Sequence, residues 1–156
     1  MEGLDLTIDG ADEADPGFCL TKGGGGALLR EKVVAFASRR VVIVLTPSKR
    51  VARLGDTFPL PVEVLPFALP MVVRELTKLG AEPVERLSES SSSYRTDNGC
   101  AILDCRFVGG IANPAELEAR IDRIPGVVES GLFCGLAHAL IVGTEAGQAS
   151  LVEQDA

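Results

Sequence analysis

The sequence predicts an α/β fold in which a partial Rossmann-like parallel-sheet domain carries an inserted ferredoxin-like α+β domain. Two patterns support this prediction: an early strand–helix–strand unit, and a later segment with the element order β-α-β-β-α-β. The chain has 156 residues, of which 46% are hydrophobic and 24% charged, as expected for a folded globular protein. We assign residues 1–58 and 131–156 to the first domain and residues 59–130 to the inserted domain.

The first domain begins with the strand–helix–strand unit. We predict a strand over Leu4–Ile8, a helix from Ala27 to about Ser38 and a strand over Val41–Leu45. Strands joined by a helix in this way lie parallel, and ligands bind beyond their carboxyl ends. The acidic turn that follows the first strand and Lys49, which follows the second, should therefore face one cavity.

The inserted domain begins near Phe58, where closely spaced prolines interrupt the chain. Its predicted elements are the strand Val62–Leu65, the helix Leu69–Leu79, the strands Glu82–Leu87 and Cys100–Phe107, the helix Pro114–Ile124 and the strand Val127–Leu132. The polar segment Ser88–Ser93 is typical of a flexible loop, and Asp97-Asn98-Gly99 is typical of a hairpin turn. A last apolar strand, Ala139–Val142, should rejoin the first sheet.

The predicted parallel sheet has about three strands but only one substantial helix, whereas parallel sheets are covered by helices on both faces. We expect a further N-terminal portion of this domain, because Met1 leads almost directly into a strand of buried type. The other explanation is that a second subunit covers the exposed face.

Composition excludes several classes of function. A net charge of -7 and a pI near 4.7 argue against nucleic-acid binding, which needs clustered basic residues. Met1-Glu2-Gly3 shows neither the basic nor the apolar region of a signal peptide, and the longest clear apolar run, Val41–Leu45, is too short to span a membrane. We therefore predict a cytoplasmic protein without a membrane partner. The four cysteines form no C-x-x-C pair, which predicts free thiols and no zinc site: Cys19, Cys100, Cys105 and Cys134.

The stretch from Leu4 to Lys32 concentrates the chemistry of the chain. It combines carboxylates, a lysine and four consecutive glycines, Gly23–Gly26. The glycines allow close approach of backbone N–H groups to a ligand, and they open a helix whose N-terminus attracts anions. The pattern is neither a Walker A loop nor a dinucleotide fingerprint, but it predicts an anion-binding corner.

Glu31 is a candidate general base on the predicted helix. The positions three and four residues away from it are all apolar: Ala27, Leu28, Val34 and Ala35. A carboxylate in an apolar stripe loses hydration and takes up a proton more readily, as a general base requires. The alternative is a solvated glutamate between Arg30 and Lys32.

Asp9 and Asp12 could bind a divalent cation, but Ala11 stands where a calcium loop needs an oxygen ligand. We therefore predict no metal site. The two aspartates either form a turn after the strand or act in proton transfer and hydroxyl binding. His138 lies four residues after Cys134 without an orienting acid, so we expect a packed or surface histidine and not a nucleophile pair.

Six motifs, in this order, resemble the type A ribose-5-phosphate isomerase family. They are Asp9-Gly10-Ala11-Asp12-Glu13, Lys22-Gly23-Gly24-Gly25, Arg30-Glu31-Lys32, Ser48-Lys49, Phe58-Pro59-Leu60-Pro61-Val62-Glu63-Val64 and Ile124-Pro125-Gly126-Val127-Val128. The resemblance spans nearly the whole chain, and only the serine-rich loop looks like an insertion.

The resemblance implies interconversion of D-ribose 5-phosphate and D-ribulose 5-phosphate through an enediolate, with no metal or organic cofactor. It implies that Glu31 is the base that moves a proton between C2 and C1, that Lys22 stabilises the oxyanion, and that Asp9 and Asp12 assist ring opening and proton transfer. The substrate-binding residues that it implies are Asp9, Gly10, Ala11, Asp12, Lys22, Gly23, Gly24, Gly25 and Lys49, the last on the phosphate side.

The family also carries an upstream Thr-Gly-Ser-Thr phosphate loop, which this sequence does not contain. Since phosphate contacts supply binding energy for the chemical step, its absence should depress catalysis. The alternative function is therefore a truncated, non-catalytic remnant that binds a sugar phosphate or oligomerises. The resemblance further implies a homo-oligomer, either a dimer or a tetramer.

Overall fold

The computed structural model describes residues 3–154. The strands in this range are β1 (Thr7–Asp9), β2 (Glu13–Ala14), β3 (Leu20–Thr21), β4 (Val41–Leu45), β5 (Leu60–Val64), β6 (Ala81–Glu85), β7 (Ala101–Phe107), β8 (Val127–Ser130), β9 (Leu132–Phe133), β10 (Ala139–Gly143) and β11 (Ala149–Glu153). The α-helices are α1 (Leu28–Phe36), α2 (Leu69–Lys78) and α3 (Pro114–Ile121). The predicted α/β fold class is confirmed.

The first sheet has the strand order β1-β4-β10-β11. Strands β1, β4 and β10 are parallel, so β10 returns to the first sheet as predicted, while β11 is an antiparallel strand that the sequence did not reveal. The prediction that the first strand is of buried type is wrong. Leu6 and Ile8 are 49% and 64% exposed, and since residues two apart in an extended segment project to the same face of a sheet, this face is open to solvent within residues 3–154.

The second sheet has the strand order β6-β7-β5-β8, and all three pairings are antiparallel. This is the ferredoxin-like order that β-α-β-β-α-β predicts. Both of its helices contribute to one core with the inward side chains of β5: these buried residues are Leu60, Val62 and Val64 with Val72, Leu76, Leu117 and Ile121. The domain boundaries at residues 58 and 131 stay a prediction, and the predicted ranges reach residues 1 and 156, which lie outside the described residues.

A third, small sheet joins β2, β3 and β9, and the sequence did not predict it. Each of its strands has only two residues, which is too short for an alternating pattern to show. The sheet connects the acidic turn after β1 with the segment that leads to Lys22. It therefore supports two sides of the predicted corner.

The sheets meet closely at Gly131. Its N–H group donates to the carbonyl of Pro61 on β5 at 2.8 Å, and its own carbonyl accepts the N–H of Lys22 at 2.8 Å. A Cβ atom here would collide with the Lys22 carbonyl and lie 2.9 Å from Cδ of Pro61. Glycine is thus required by close backbone approach, and it couples the Lys22 backbone to the antiparallel sheet.

Several predicted ends shift by a few residues. Helix α1 ends at Phe36 and α3 at Ile121, short of the predicted Ser38 and Ile124, and β1 begins at Thr7 because Leu4 makes only an isolated bridge. All four cysteines are free thiols, as predicted. Within residues 3–154 we find no helix that is long and apolar enough to cross a membrane.

Candidate active site

The residues that the sequence singled out come together around one cavity of about 180 Å³ at the carboxyl ends of β1 and β4. They are Asp9, Gly10, Ala11, Asp12, Lys22, Gly23, Gly24, Gly25, Glu31 and Lys49. A larger cavity of about 320 Å³ lies between α2, the end of β7 and α3, but it contains none of these side chains. The smaller cavity is therefore the candidate site, because its lining residues carry the reactive and charged groups.

Lys22 is the centre of this cavity, although its side chain is only 5% exposed. Its ammonium lies 2.9 Å from Oδ2 of Asp9 and 3.3 Å from Oε2 of Glu31, and it donates to the carbonyl of Gly10. The ring of Phe133 lies 5.6 Å away and adds a cation–π contact. These partners hold the buried ammonium in one position.

Glu31 lies in the first turn of α1, directly after the glycine loop. Its side chain is 31% exposed, while Oε2 is buried and receives no hydrogen bond from residues 3–154. The 3.3 Å contact with Lys22 is thus an ion pair without hydrogen-bond geometry. The lone pairs of the oxygen that faces Lys22 are therefore not occupied by any hydrogen-bond donor of residues 3–154.

The alternative of a solvated Arg30–Glu31–Lys32 trio is wrong. Arg30 pairs with Asp97 on the surface, whereas the ammonium of Lys32 is largely buried and binds Glu118 at 2.9 Å and Glu129 at 2.6 Å. Burial raises the pKa of Glu118, and the contact with Lys32 opposes that shift. Lys32 therefore ties α1 to α3 and β8 and leaves Glu31 to Lys22.

The two aspartates hold the turn and the glycine loop together. Oδ1 of Asp9 accepts the N–H of Gly10 at 2.7 Å, and Oδ2 of Asp12 accepts the N–H of Gly24 at 2.8 Å. The sequence predicts that the N–H groups of Gly23, Gly24 and Gly25 bind a ligand, but the N–H group of Gly24 is already bound to Asp12. Within residues 3–154, the N–H groups of Gly23 and Gly25 have no protein acceptor.

Lys49 closes the opposite side of the cavity. It ends a 3₁₀ turn, Pro47–Lys49, and its ammonium donates to the carbonyl of Ala11 at 2.7 Å. No carboxylate of the described chain lies within ion-pairing distance of it. Its positive charge is therefore available to an anionic group in the cavity.

Arg86 and Tyr94 reach the site from the antiparallel sheet, and the sequence did not identify them. The guanidinium of Arg86 binds both carboxylate oxygens of Asp104 and donates to the carbonyls of Gly23 and Gly24 at 3.0 and 3.1 Å. Tyr94 donates to the carbonyl of Gly25 at 3.3 Å. These contacts hold the glycine loop through its carbonyls, while the N–H groups of Gly23 and Gly25 have no protein acceptor within residues 3–154.

Glu13 was part of the acidic motif, but no role was assigned to it. It is fully buried, and its carboxylate accepts the N–H groups of Gly55, Thr57 and Phe58 together with the Thr57 hydroxyl, at 2.6–3.0 Å. Thr21 makes a longer contact of 3.4 Å. Glu13 thus fixes the loop that leads into β5. The only signal in the sequence was an acid next to an apolar strand residue, which is weak.

His138 and Cys134 do not form a nucleophile pair. The imidazole Nδ1 of His138 accepts the backbone N–H of Val41 at 3.1 Å and lies outside the cavity. His138 is therefore a surface residue, directly before β10, whose imidazole binds the backbone of Val41. This agrees with the sequence prediction of a packed or surface histidine. No cluster of three or more metal-binding side chains exists in residues 3–154.

The fold and the cavity define an α/β protein with a lysine–carboxylate site beside a glycine loop and a helix N-terminus. Comparison with known proteins places it further: the family model of ribose 5-phosphate isomerase A (phosphoriboisomerase A) matches residues 1–147. The chain therefore belongs to the ribose 5-phosphate isomerase A family.

Individual relatives agree with this assignment. The chain is 58% identical to ribose-5-phosphate isomerase A of Gloeobacter violaceus over 145 residues, which is 92% of this chain and 62% of that protein. Its fold matches ribose 5-phosphate isomerase A of Methanocaldococcus jannaschii with a TM-score of 0.90 and 39% identity, over 97% of this chain and 67% of that one. A D-ribose-5-phosphate isomerase solved in complex with phospho-erythronic acid matches with a TM-score of 0.93 and 34% identity, over 99% and 67% of the respective chains. The chain thus spans about 62% of the length of the first relatives that it matches.

Proposed function

We propose that this protein is an aldose–ketose isomerase that interconverts D-ribose 5-phosphate and D-ribulose 5-phosphate. The observation that carries the proposal is the contact between Lys22 and Glu31 in a small cavity, where one carboxylate oxygen is buried but accepts no hydrogen bond from the described part of the chain. Family membership supports the same reaction. The structural relative in complex with phospho-erythronic acid, a sugar-acid phosphate, supports the class of ligand.

In the proposed reaction, the Glu31 carboxylate removes the proton from C2 of the open-chain aldose. The electron pair of that C–H bond forms the C1–C2 double bond of an enediolate, and the carbonyl oxygen gains negative charge. The same carboxyl group then returns the proton to C1, while a hydroxyl proton passes from O2 to O1. Proton exchange between adjacent carbons needs no redox group, so we propose no cofactor.

The remaining cavity residues provide binding and charge. The Lys22 ammonium and the two N–H groups that lack a protein acceptor, on Gly23 and Gly25, stabilise the enediolate oxygen. The carboxylates of Asp9 and Asp12 hold sugar hydroxyls and assist ring opening. Lys49 binds on the phosphate side, which its uncompensated charge favours. We also propose a cytoplasmic location.

We further propose that the protein forms a homo-oligomer, a dimer or a tetramer. Large apolar side chains on the antiparallel half of the molecule face solvent: Phe67 is 99%, Val108 86% and Val84 66% exposed. Burial of such side chains between copies of the chain would be favourable. Size-exclusion chromatography with light scattering measures the mass directly, and a monomer at micromolar concentration would contradict this part of the proposal.

A non-catalytic protein that binds sugar phosphates is the second candidate. The observation that favours it is that Lys49 is the one uncompensated ammonium lining the cavity within residues 3–154. A single lysine is a modest anchor for a phosphate dianion. This candidate predicts saturable binding of ribose 5-phosphate without turnover.

The two candidates separate in one experiment with Glu31→Gln. In the isomerase, this substitution removes the base and lowers kcat by roughly 10²–10⁴-fold, while ribose 5-phosphate still binds. Turnover is followed by the formation of ribulose 5-phosphate in D₂O, where proton transfer also labels the product with deuterium, and binding is followed by calorimetry. Glu89→Gln, on the exposed serine-rich loop, is the control of equal charge change. Deuterium incorporation that survives Glu31→Gln would exclude Glu31 as the base, and a wild-type chain that binds without turnover would favour the second candidate.

A further inference from the structure

Cys19 and Cys134 lie opposite each other at one end of the small sheet. Strands β3 and β9 are antiparallel, with Leu20 opposite Phe133 and Thr21 opposite Leu132. Continuing this register by one residue places Cys19 opposite Cys134.

The hydrogen-bond pattern shows which type of pair this is. The Lys22 N–H donates to the Gly131 carbonyl across the two strands, whereas the Cys19 carbonyl is turned the other way and accepts the N–H of Asp15. Hydrogen-bonded and non-hydrogen-bonded pairs alternate along an antiparallel ladder. Cys19 and Cys134 therefore occupy a non-hydrogen-bonded position, where Cα atoms lie about 4.5 Å apart and side chains are closest. This separation falls within the range that a disulfide can bridge.

The thiols themselves support this reading of the backbone. The interaction between the two thiols is the first cause of both shifts: it lowers the pKa of Cys19 and raises that of Cys134. Burial and the nearby carboxylates of Asp15 and Glu118 act against ionisation of both thiols. Both side chains are nevertheless partly exposed, so that a small oxidant in solution can reach them.

The other two cysteines provide an internal contrast. Cys100 and Cys105 are buried, and burial is the first cause of the raised pKa of each, which is about 12 for Cys105. A thiol that stays protonated and is shielded from solvent reacts slowly with oxidants.

We propose that Cys19 and Cys134 are a modification site, at which hydrogen peroxide forms an intramolecular disulfide. The Cys19 thiolate attacks one peroxide oxygen, the O–O bond breaks, hydroxide leaves, and Cys19 becomes a sulfenic acid. The sulfur of Cys134 then attacks the Cys19 sulfur, the S–O bond breaks, and the departing hydroxide takes the Cys134 proton as water. In sum, the two thiols lose two protons and two electrons, and one hydrogen peroxide is reduced to two molecules of water.

This bond lies on the strand that leads to Lys22, but at the other end of the β3–β9 pair. It leaves the backbone hydrogen bond between Lys22 and Gly131 in place. It also closes a covalent loop that contains most of the chain, and such long loops restrict the unfolded state strongly. Oxidation therefore stabilises the folded chain and preserves the geometry of the cavity.

The test uses the full chain, treated with hydrogen peroxide and compared with the reduced protein. The expected result is a mass loss of two hydrogen atoms, a single disulfide-linked peptide pair that contains Cys19 and Cys134, and a rise in the unfolding midpoint of roughly 5–15 °C. Cys134→Ser should stop at the sulfenic acid, which dimedone traps on Cys19, and Cys100→Ser should behave as the wild type. A disulfide that involves Cys100 or Cys105, a disulfide between chains, or an unchanged mass would overturn the proposal. A Cys19–Cys134 bond without a higher midpoint would overturn its stabilising effect.

Discussion

Glu13 and Glu31 are two glutamates of the same motif-bearing stretch, and their surroundings are opposite. Glu13 is fully buried, and both of its oxygens accept hydrogen bonds from the loop before β5. Glu31 lines the cavity, and its Oε2 lies near the Lys22 ammonium but accepts no hydrogen bond from any residue that the structure describes. The oxygens of Glu13 are occupied by hydrogen bonds that hold the fold, whereas Oε2 of Glu31 has no hydrogen-bond donor among the described residues.

The difference shows how to separate a structural acid from a reactive one. Burial alone would select Glu13, because it is the more buried of the two. The number of donors around each oxygen selects Glu31, since an oxygen with fewer bound donors has more lone pairs left to accept a proton. In this molecule, a carboxylate oxygen without a hydrogen-bond donor indicates a reactive acid better than the burial of the side chain does.

The largest effect on stability is expected from Glu13→Gln. The amide nitrogen of glutamine cannot accept a hydrogen bond, so either the N–H of Gly55 or that of Thr57 loses its partner in the interior. We expect the free energy of unfolding to fall by about 2–4 kcal/mol, measured by urea denaturation. Glu31→Gln should cost clearly less, because Asp9 remains to pair with Lys22. Equal losses for the two variants would remove the distinction between these acids.

An intermediate effect, on activity, is expected from Arg86→Gln. Without the guanidinium, the carbonyls of Gly23 and Gly24 lose their donor and the glycine loop loses its fixed position. We expect kcat/KM for ribose 5-phosphate to fall roughly 10–100-fold, with partial recovery in Arg86→Lys. Arg95→Gln, an exposed arginine of the same hairpin, is the matched control and should change kcat/KM less than about twofold. An unchanged kcat/KM in Arg86→Gln would show that the contacts of the glycine loop with Asp12 and its neighbours hold the loop without Arg86.

The smallest effect concerns Asp122, next to the Lys32 cluster. Burial and the charge of Glu129 raise the pKa of its carboxyl group in the folded state, so the folded chain binds its proton more tightly than the unfolded chain. The folded state therefore loses stability as the pH rises from the unfolded value of 3.8 through the folded one. Asp122→Asn should make the decline of unfolding free energy above pH ~4 shallower. Glu89→Gln serves as the comparison, and the same slope in wild type and Asp122→Asn would refute this assignment.

The fold was predicted correctly where a strand or helix was long enough to show a hydrophobic pattern. The five residues Val41–Leu45 and the amphipathic segments that became α2 and α3 were long enough to identify, and their order gave the antiparallel unit. The small sheet escaped notice because a two-residue strand has no period. Strand β11 escaped because its residues are mostly exposed and form no apolar run.

The part of the site that could be predicted is the part formed by motifs near one another in the sequence. The motifs from Asp9 to Lys49 brought together the residues of the cavity, but their hydrogen-bond partners could not be read from them. Arg86 lies beside a serine-rich segment and acts on backbone carbonyls, which no side-chain motif records. The assigned roles of the cavity residues remain predictions until the variants are measured.

The contact of Gly131 with Lys22 and Pro61 has a consequence for the timing of folding. During synthesis, Lys22 and the glycine loop leave the ribosome long before Gly131 does, and β10 follows later still to complete the parallel sheet. Contacts of such large separation in sequence form late. The nascent chain can therefore complete the antiparallel core before the cavity exists, and the cavity should be among the last features of the fold to form.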